Sequence, residues 1–209
     1  MKLGYACINS TLQQTGGITT NRGMRQKTFN ERGLPYVSEL ALQNVKDLEN
    51  IVKWNEEMGI KLFRMSSDLF PWMTFYEFEQ LPDYPMIDIY LKNIGALADK
   101  YGQRLTFHPS HFNALGSPNP IVVEKAIKEL NKHGEIMDIM GLSATVYNKI
   151  NIHVGGAYGD KKGTLDAFCH NFNLLIITQY CSRQVLNKLL EMEHLLVMSK
   201  YSMSYHVFK

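Results

Sequence analysis

Short apolar runs alternate with longer amphipathic segments along most of the chain, and this alternation constrains the fold more than any other feature. Apolar runs predict strands at residues 2–8, 61–66, 104–108 and 150–154. Hydrophobic residues three and four apart predict helices at residues 38–59, 86–100, 121–133 and 161–173, with Ser38 as the N-cap of the first. Strands separated by helices, without hairpin turns, indicate an α/β fold with a parallel sheet.

Periodicity alone does not say how that sheet is wound. One direction of winding gives a barrel, and winding in both directions gives an open Rossmann-like sheet. Residues 9–34 and 70–84 read as long loops, and residues 135–147 as a short strand followed by part of a helix. With 209 residues, the chain is shorter than the roughly 250 residues typical of a complete (β/α)₈ barrel.

Composition indicates a soluble intracellular protein without naming a partner. The formal net charge of +2 neither supports nor excludes DNA binding, because local cations rather than net charge contact phosphates. Three cysteines without a CxxC spacing argue against a disulfide framework or a thiolate zinc site. The N-terminus lacks the pattern of a signal peptide, and no run of ~18 apolar residues predicts a transmembrane helix.

Polar side chains follow the predicted strands, at the edge where parallel α/β folds collect functional groups. They are Asn9, Arg64, Ser66 to Asp68, His108, His111 and His153. Two histidines at matching ends of separate strands predict a site for a first-row metal, because neutral imidazole is a good ligand for zinc or manganese. The alternative is that each histidine is a hydrogen-bonded structural residue. His133, His170, His194 and His206 read as surface or tail residues without a role.

Two further motifs have both a functional and a structural interpretation. The glycine-rich turn at residues 155–159 lacks the G-x-G-x-x-G spacing of a dinucleotide site. It could approach a phosphate with Lys161 supplying charge, or it could simply be a strand-to-helix turn that needs positive φ. The aromatic residues between 70 and 78 are expected to pack beneath a long loop, although aromatic rings can also stack on unpaired bases.

Four segments of the sequence resemble the UV-damage endonuclease family, in the same order and at similar spacing. They are LGYACIN at residues 3–9, FRMSSDLFP at 63–71, LTFHPSHFNALGSPN at 105–119 and INIHVGGAYGDK at 150–161. The last two carry the most specific patterns. The resemblance implies a TIM barrel of the (β/α)₈ type, of which residues 1–175 would form the N-terminal half to two-thirds.

The resemblance also implies an activity. Family members use divalent metal ions, usually manganese, to nick double-stranded DNA on the 5′ side of cyclobutane pyrimidine dimers and 6-4 photoproducts. His108 and His153 would then be metal ligands, with Zn²⁺ or Mg²⁺ as other possible ions. The residues expected at the damaged DNA are Tyr5, Asn9, Arg64, His111, Phe112 and Lys161. His111 departs from the family, which usually has glutamine there. We expect no membrane contact and a monomeric protein.

Residues 176–209 depart from the family and read as a divergent tail, the product of a deletion or frameshift. Asn187 stands where a bridging glutamate is expected, with Glu191 and Glu193 nearby, and residues 184–200 could form one amphipathic helix. Without the later ligands the metal cluster would be partial. The alternative function is therefore an inactive or DNA-binding remnant of such an endonuclease. A sugar-isomerase-like barrel is a third possibility, which the context of the two histidines does not favour.

Overall fold

Three short strands alternate with five helices in a computed structural model that describes residues 3–143, 145, 147–154 and 156–176. Two single 3₁₀ turns, Met73–Phe75 and Phe78–Gln80, lie between the second strand and the third helix. The elements in chain order are β1 (Gly4–Ala6), α1 (Ser10–Gly16), α2 (Gln26–Glu57), β2 (Leu62–Met65), α3 (Tyr84–Tyr101), β3 (Arg104–Phe107), α4 (Pro120–Ile139) and α5 (Lys161–Ile176).

The strands form one parallel sheet, as the alternation predicted, and their order in it is β1-β2-β3. Each strand therefore lies beside the next one in sequence, so the described sheet winds in a single direction. Its register aligns Tyr5 with Phe63 and Leu105, and aligns Arg64 with Thr106. Because side chains alternate along a strand, these two rows lie on opposite faces of the sheet.

The helices cover the face that carries Phe63 and Leu105, both of which are fully buried. Phe107 belongs to the same face, and its ring meets His133 of α4 edge-on at 4.8 Å between centroids. Tyr5 reaches α2 through a hydrogen bond to Asn55. Arg64 and Thr106 consequently lie on the other face, away from the helices. In a barrel that other face is the interior.

The segment at residues 9–34, expected to be a loop, contains α1 and the beginning of α2. Asn9 starts α1 because its side chain accepts a hydrogen bond from the Leu12 amide, and Gly17 ends it with φ of 66°. The loop that follows is held on α2 by an ion pair of 2.7 Å between Arg22 and Asp47. Local capping groups therefore create a helix that hydrophobic periodicity did not reveal.

The predicted N-cap role of Ser38 is wrong. The helix begins at Gln26 and bends at Gly33, where φ is 61° and ψ is −159°. Ser38 lies inside it, and its hydroxyl donates to the Asp83 carboxylate and accepts from the Asp83 amide, each at 2.8 Å. Asp83 is the residue before α3, so the serine supports the start of a neighbouring helix rather than its own.

Helix α4 is longer than predicted, and the strand proposed within residues 135–147 does not form in the described part of that range. Val123, Ala126, Leu130 and Met137 recur at helical spacing and are buried, so the apolar IMDIM run continues the helix to Ile139. His133 shares this stripe and is fully buried, which overturns its assignment to the surface. His170 of α5 is exposed, as predicted.

The predicted strand at residues 150–154 is reduced to one parallel bridge between Phe107 and Ile150. The Asn151 amide donates to the Phe107 carbonyl at 2.9 Å, and the Phe107 amide donates to Lys149 at 3.1 Å. This contact still places residues 150–154 beside β3. Residues 150–154 therefore occupy the position expected for a fourth strand, although they form no regular ladder of hydrogen bonds with β3.

The aromatic segment after β2 is mostly packing, as expected. Phe70, Tyr76 and Phe78 are buried, and the rings of Phe70 and Phe78 lie 4.5 Å apart. Trp72 is half-buried, whereas 61% of the Phe75 side chain is exposed. Most of these rings therefore fill the space under the loop and are unavailable to a ligand.

Several expectations concern residues outside the described part. Helix α5 runs to Ile176, across the boundary predicted after residue 175; the rest of the predicted tail, including Asn187, Glu191, Glu193, His194 and His206, lies beyond the described residues. Cys7 and Cys169 are free thiols. Among the described helices, none has the length and apolar character needed to cross a membrane.

Candidate metal centre

His108 and His153 meet beyond the end of β3, on the face of the sheet that points away from the helices. His108 follows Phe107, and because Phe107 faces α4, alternation directs the next side chain to the opposite face. His153 lies three residues after the bridge at Ile150. The two imidazole rings are 4.5 Å apart between centroids and inclined at 75°. Two strand-end histidines that are 45 positions apart in the sequence are thus neighbours.

The surroundings of His108 favour its neutral form. Burial lowers the pKa of His108 below its ordinary value, and the nearby His153 and Arg64 lower it further because each disfavours a second positive charge. A neutral imidazole has a free lone pair on one ring nitrogen. His108 is half-buried and His153 is exposed, so the pair is open on one side.

Arg64 brings a positive charge to this pair. It lies on β2 in the row of Thr106, and its charge acts on His108. Its Nε atom is buried and has no hydrogen-bond partner among the described residues. A buried donor without a partner is costly, and an anion or ordered water next to the histidines would satisfy it.

These side chains fit a divalent cation as two of its ligands. An imidazole with a free lone pair suits zinc, manganese and related ions, and the open side leaves room for further ligands. Among the described residues, no group of three or more His, Cys, Asp or Glu side chains is arranged to hold a metal ion. The described part of the chain therefore provides two candidate ligands for a metal, His108 and His153.

Tyr5 and Asn9 form a hydrogen-bonded group on the helix side of the sheet. The Asn9 amide donates to the Tyr5 hydroxyl, which donates to Asn55 Oδ1, both at 2.8 Å. The Tyr5 ring packs on Phe63 at 4.9 Å, and burial raises the pKa of its hydroxyl. Asn9 is 4% exposed and also caps α1. In this arrangement both side chains have structural partners.

Asn55 belongs to this group, although it was not among the residues predicted from the sequence. An asparagine inside a helix ordinarily reads as a surface residue. Asn55 nevertheless lies three and four positions after the buried Val52 and Ile51, so it falls on the apolar stripe of α2. A polar residue on such a stripe signals a buried hydrogen bond.

His111 and Phe112 form the exposed tip of the loop that follows His108. Their ring centroids are 4.1 Å apart, and 77% of the Phe112 side chain is exposed. Exposure ends abruptly at Asn113, which is 3% exposed. The predicted contact pair therefore projects from a buried base.

Lys161 is exposed at the first position of α5. The turn before it has positive φ at Tyr158 (45°) and Gly159 (83°), and the Asp160 carboxylate accepts a hydrogen bond from the Gly163 amide at 2.9 Å. Positive φ in the turn before a helix is what the structural interpretation expects here. Gly155 lies outside the described residues.

Comparison with known proteins gives a consistent result. The chain matches the family described as UV-endonuclease UvdE over residues 1–190. It is 38% identical over 178 residues to the UV-damage endonuclease of Schizosaccharomyces pombe, a match that covers 83% of this chain and 29% of that protein. It is also 38% identical over 179 residues to the putative UV-damage endonuclease of Acanthamoeba polyphaga mimivirus, covering 84% of this chain and 53% of the viral protein.

A solved structure is similar as well. The crystal structure of SacUVDE aligns with a TM-score of 0.72 and 28% identity, covering 86% of this chain and 58% of that one. This similarity confirms the predicted TIM-barrel type of fold and decides between the two ways of winding the sheet. In each of these three matches the chain spans less than two-thirds of its relative's length.

Proposed function

The chain belongs to the UV-endonuclease UvdE family, and from that premise we propose that it is a metal-dependent endonuclease acting on UV-damaged DNA. The proposed substrate is double-stranded DNA that contains pyrimidine dimers or 6-4 photoproducts, and the proposed product is a nick on their 5′ side. Manganese is the proposed metal, and a monomer the proposed functional form.

One observation carries this proposal, namely the proximity of the His108 and His153 rings to each other, with the charge of Arg64 acting on His108. A site for phosphodiester hydrolysis needs metal ligands and a cation for the phosphate at one place. The 4.5 Å contact between the imidazole rings and the charge of Arg64 on His108 bring these groups together on the face away from the helices. A bound divalent cation would neutralise charge on the phosphate and activate water for in-line displacement.

The residues of the chain would divide the remaining work. His108 is kept neutral by burial and by two neighbouring groups, so its lone pair is available for the metal. The Arg64 guanidinium would donate its spare N–H to a phosphate oxygen and hold the strand beside the metal ligands. Lys161, exposed at the start of α5, would contact the DNA backbone farther along.

Damage selectivity would come from the cost of opening the duplex. Lesions weaken base stacking, so inserting an aromatic wedge costs less at a lesion than at intact DNA. Phe112 is the candidate wedge because it is the most exposed large apolar side chain of the described residues and lies four positions after His108. His111, which contacts its ring, could form a hydrogen bond to a base beside it.

Metal binding gives the first test. After dialysis against a chelator, the protein is titrated with Mn²⁺ in a calorimeter. We expect His108→Ala and His153→Ala each to weaken binding by at least about tenfold, because each removes one ligand. His170→Ala, which alters an exposed histidine on α5, should bind like the parent. Equal affinity in all three variants would contradict the assignment of the metal site.

Nicking gives the second test. The protein is incubated with Mn²⁺ and a duplex that carries one thymine dimer, and strand cleavage is followed on a denaturing gel. We expect a single cut 5′ to the dimer, lost on addition of chelator and in His108→Ala. Selective binding of the damaged duplex without any cut would instead support the DNA-binding alternative. Equal affinity for damaged and intact duplexes would refute both.

A further inference from the structure

In the loop between β3 and α4, the exposed residues of the tip are followed directly by the buried residues of the base. We define the probe loop as residues 110–117, with His111 and Phe112 at its tip. Phe112 is 77% exposed, whereas Asn113, Ala114 and Leu115 are 3%, 7% and 0% exposed. Because the residues beneath the exposed Phe112 ring are buried, we expect them to determine the direction in which this ring points.

Asn113 makes the hydrogen bonds that close the turn at this tip. Its backbone amide and its side-chain Nδ2 both donate to the Ser110 carbonyl at 3.0 Å. The Ala114 amide donates to the Phe112 carbonyl at 2.9 Å, and the Phe112 amide donates to Ser110 Oγ at 3.3 Å. Hydrogen bonds therefore flank the two exposed residues, His111 and Phe112, on both sides.

A second bond of Asn113 ties the turn to α4. Its Nδ2 donates to Glu129 Oε1 at 2.8 Å. Glu129 lies between Ala126 and Leu130, which belong to the hydrophobic core, so its position is fixed by a packed helix. Burial raises the pKa of the Glu129 carboxyl, while the bond from Asn113 acts in the opposite direction.

Helix α5 supports the other end of the probe loop. The Asn171 side chain donates to the Leu115 carbonyl at 2.8 Å. A Cβ on Gly116 would lie 2.9 Å from the Thr164 carbonyl oxygen, so the backbone of the loop packs closely against the backbone of α5. The base of the loop is therefore held from two helices, and only the tip is free to contact another molecule.

We infer that Asn113 and Glu129 are positioning residues that orient Phe112 and His111 for contact with damaged DNA. The inference rests on the proposed function. A wedge on a loose loop would lose conformational freedom at each binding event, which lowers affinity, whereas a wedge held in advance avoids most of that loss. The Asn113–Glu129 bond joins the turn around the tip directly to α4.

The test measures lesion preference, defined as the Kd for an intact duplex divided by the Kd for the same duplex with one thymine dimer. We expect Phe112→Ala to abolish the preference and Asn113→Ala to reduce it about tenfold, the effect of one hydrogen bond to a charged group. Affinity for the intact duplex should change little, because phosphate contacts supply it.

Substitutions of Glu129 distinguish a positioning role from a general loss of structure. Glu129→Gln keeps an amide oxygen that can accept the bond from Asn113, so it should retain the parental preference, whereas Glu129→Ala should behave like Asn113→Ala. Glu124→Ala, an exposed substitution on the same helix, serves as the matched control. Thermal melting of each variant reports on its folding, and should Asn113→Ala fail to fold, the Glu129 pair tests the inference alone.

A double variant completes the test. In Phe112→Ala the wedge is absent, so adding Asn113→Ala should lower the preference no further. Additive losses, or parental preference in both Asn113→Ala and Glu129→Ala, would overturn the inference while leaving the proposed function intact. No lesion preference in the parent protein would overturn the proposed function, and the inference with it.

Discussion

His133 is the residue whose environment departs most from what its sequence position suggested. Its side chain is fully buried beneath Phe107. The Nδ1 atom lies 2.9 Å from the Glu129 carbonyl, and since a carbonyl only accepts, Nδ1 carries the proton. The Nε2 atom has no partner among the described residues. Burial without a partner for a second proton lowers the pKa of His133 to about 4.

This depressed pKa makes stability depend on pH. The unfolded chain takes up the proton near pH 6.5, whereas the folded chain resists it down to about pH 4. The free energy of unfolding should therefore fall as pH drops through this window, by about 2 to 4 kcal/mol. Urea unfolding at pH 7, 5.5 and 4.5 measures the slope. His133→Asn should be less stable at pH 7 but show a smaller fall.

The exposed His170 provides the comparison for that experiment. His170→Gln changes a histidine that lies at the surface of α5, so its unfolding should follow the parental dependence on pH. A parental slope in His133→Asn would show that other groups cause the acid sensitivity.

At the scale of elements, the position of α3 relative to the end of α4 depends on one glycine. A Cβ added at Gly95 would lie 1.7 Å from the Met140 carbonyl oxygen and 2.7 Å from its carbonyl carbon. Both of these atoms belong to the backbone, so neither can move aside as a flexible side chain would. The two segments therefore pack backbone to backbone, which a side chain of any size prevents.

Gly95→Ala should consequently destabilise the protein, although alanine is the better helix former by about 1 kcal/mol. We expect a loss of at least about 3 kcal/mol in the free energy of unfolding, because overpacking against fixed backbone forces the helices apart. Gly23→Ala is the matched control, since no atom lies within 4 Å of its Cβ position, and it should change stability by less than about 0.5 kcal/mol. Chemical unfolding followed by circular dichroism distinguishes the two, and equal stability would contradict the close packing.

At the scale of the whole molecule, the small net charge of +2 limits what a general field can contribute to DNA binding. Many lysines are also paired with carboxylates on the outer helices, such as Lys92 with Asp88 at 2.7 Å on α3. The affinity for DNA that the proposed function requires must then come from a few cations near the proposed site. Lys161 and Arg64 are the two cations that we expect to contribute most to this affinity.

Salt dependence tests this distribution of charge. For Lys161→Gln we expect weaker binding to damaged and intact duplexes alike, and a plot of log K against log salt concentration whose slope is smaller by about 0.9, the value for one phosphate contact. Lys92→Gln should leave both quantities unchanged. Binding is measured by fluorescence anisotropy between about 50 and 200 mM salt. This range is wide enough to resolve a difference in slope of about 0.9 per phosphate contact. A parental slope in Lys161→Gln would exclude this lysine from the interface.

Much of the fold was predictable because it follows from local patterns. The strands β1 to β3 and most of the helices α2 to α5 lie where apolar runs and helical spacing placed them, whereas α1 was not predicted. The errors arose where a local pattern had two outcomes. Residues 135–139 are apolar enough for a strand and continue α4 instead. Ser38 could have capped its own helix, but it hydrogen-bonds to Asp83, which is 45 positions away.

The candidate site was predictable in its residue types and unpredictable in its contacts. Strand ends identified His108 and His153 because parallel strands bring functional groups to one edge. Whether their rings would touch depended on the register of residues 150–154 against β3, which a single bridge sets. The buried Asn55 and Asn113 were missed, because a polar residue that is satisfied by a distant partner looks like a surface residue in the sequence.

By itself the sequence determined the alternation of the main strands and helices and the histidines available for a metal, since each depends on periodicity or residue type, and its resemblance to the family indicated the pair at positions 111 and 112. The tertiary structure alone decided which polar groups are buried, which hydrogen bonds tie Asn113 to Glu129 and Tyr5 to Asn55, and how closely α3 approaches Met140. These contacts join residues far apart in the chain, and their energies depend on burial and distance, which no local pattern specifies.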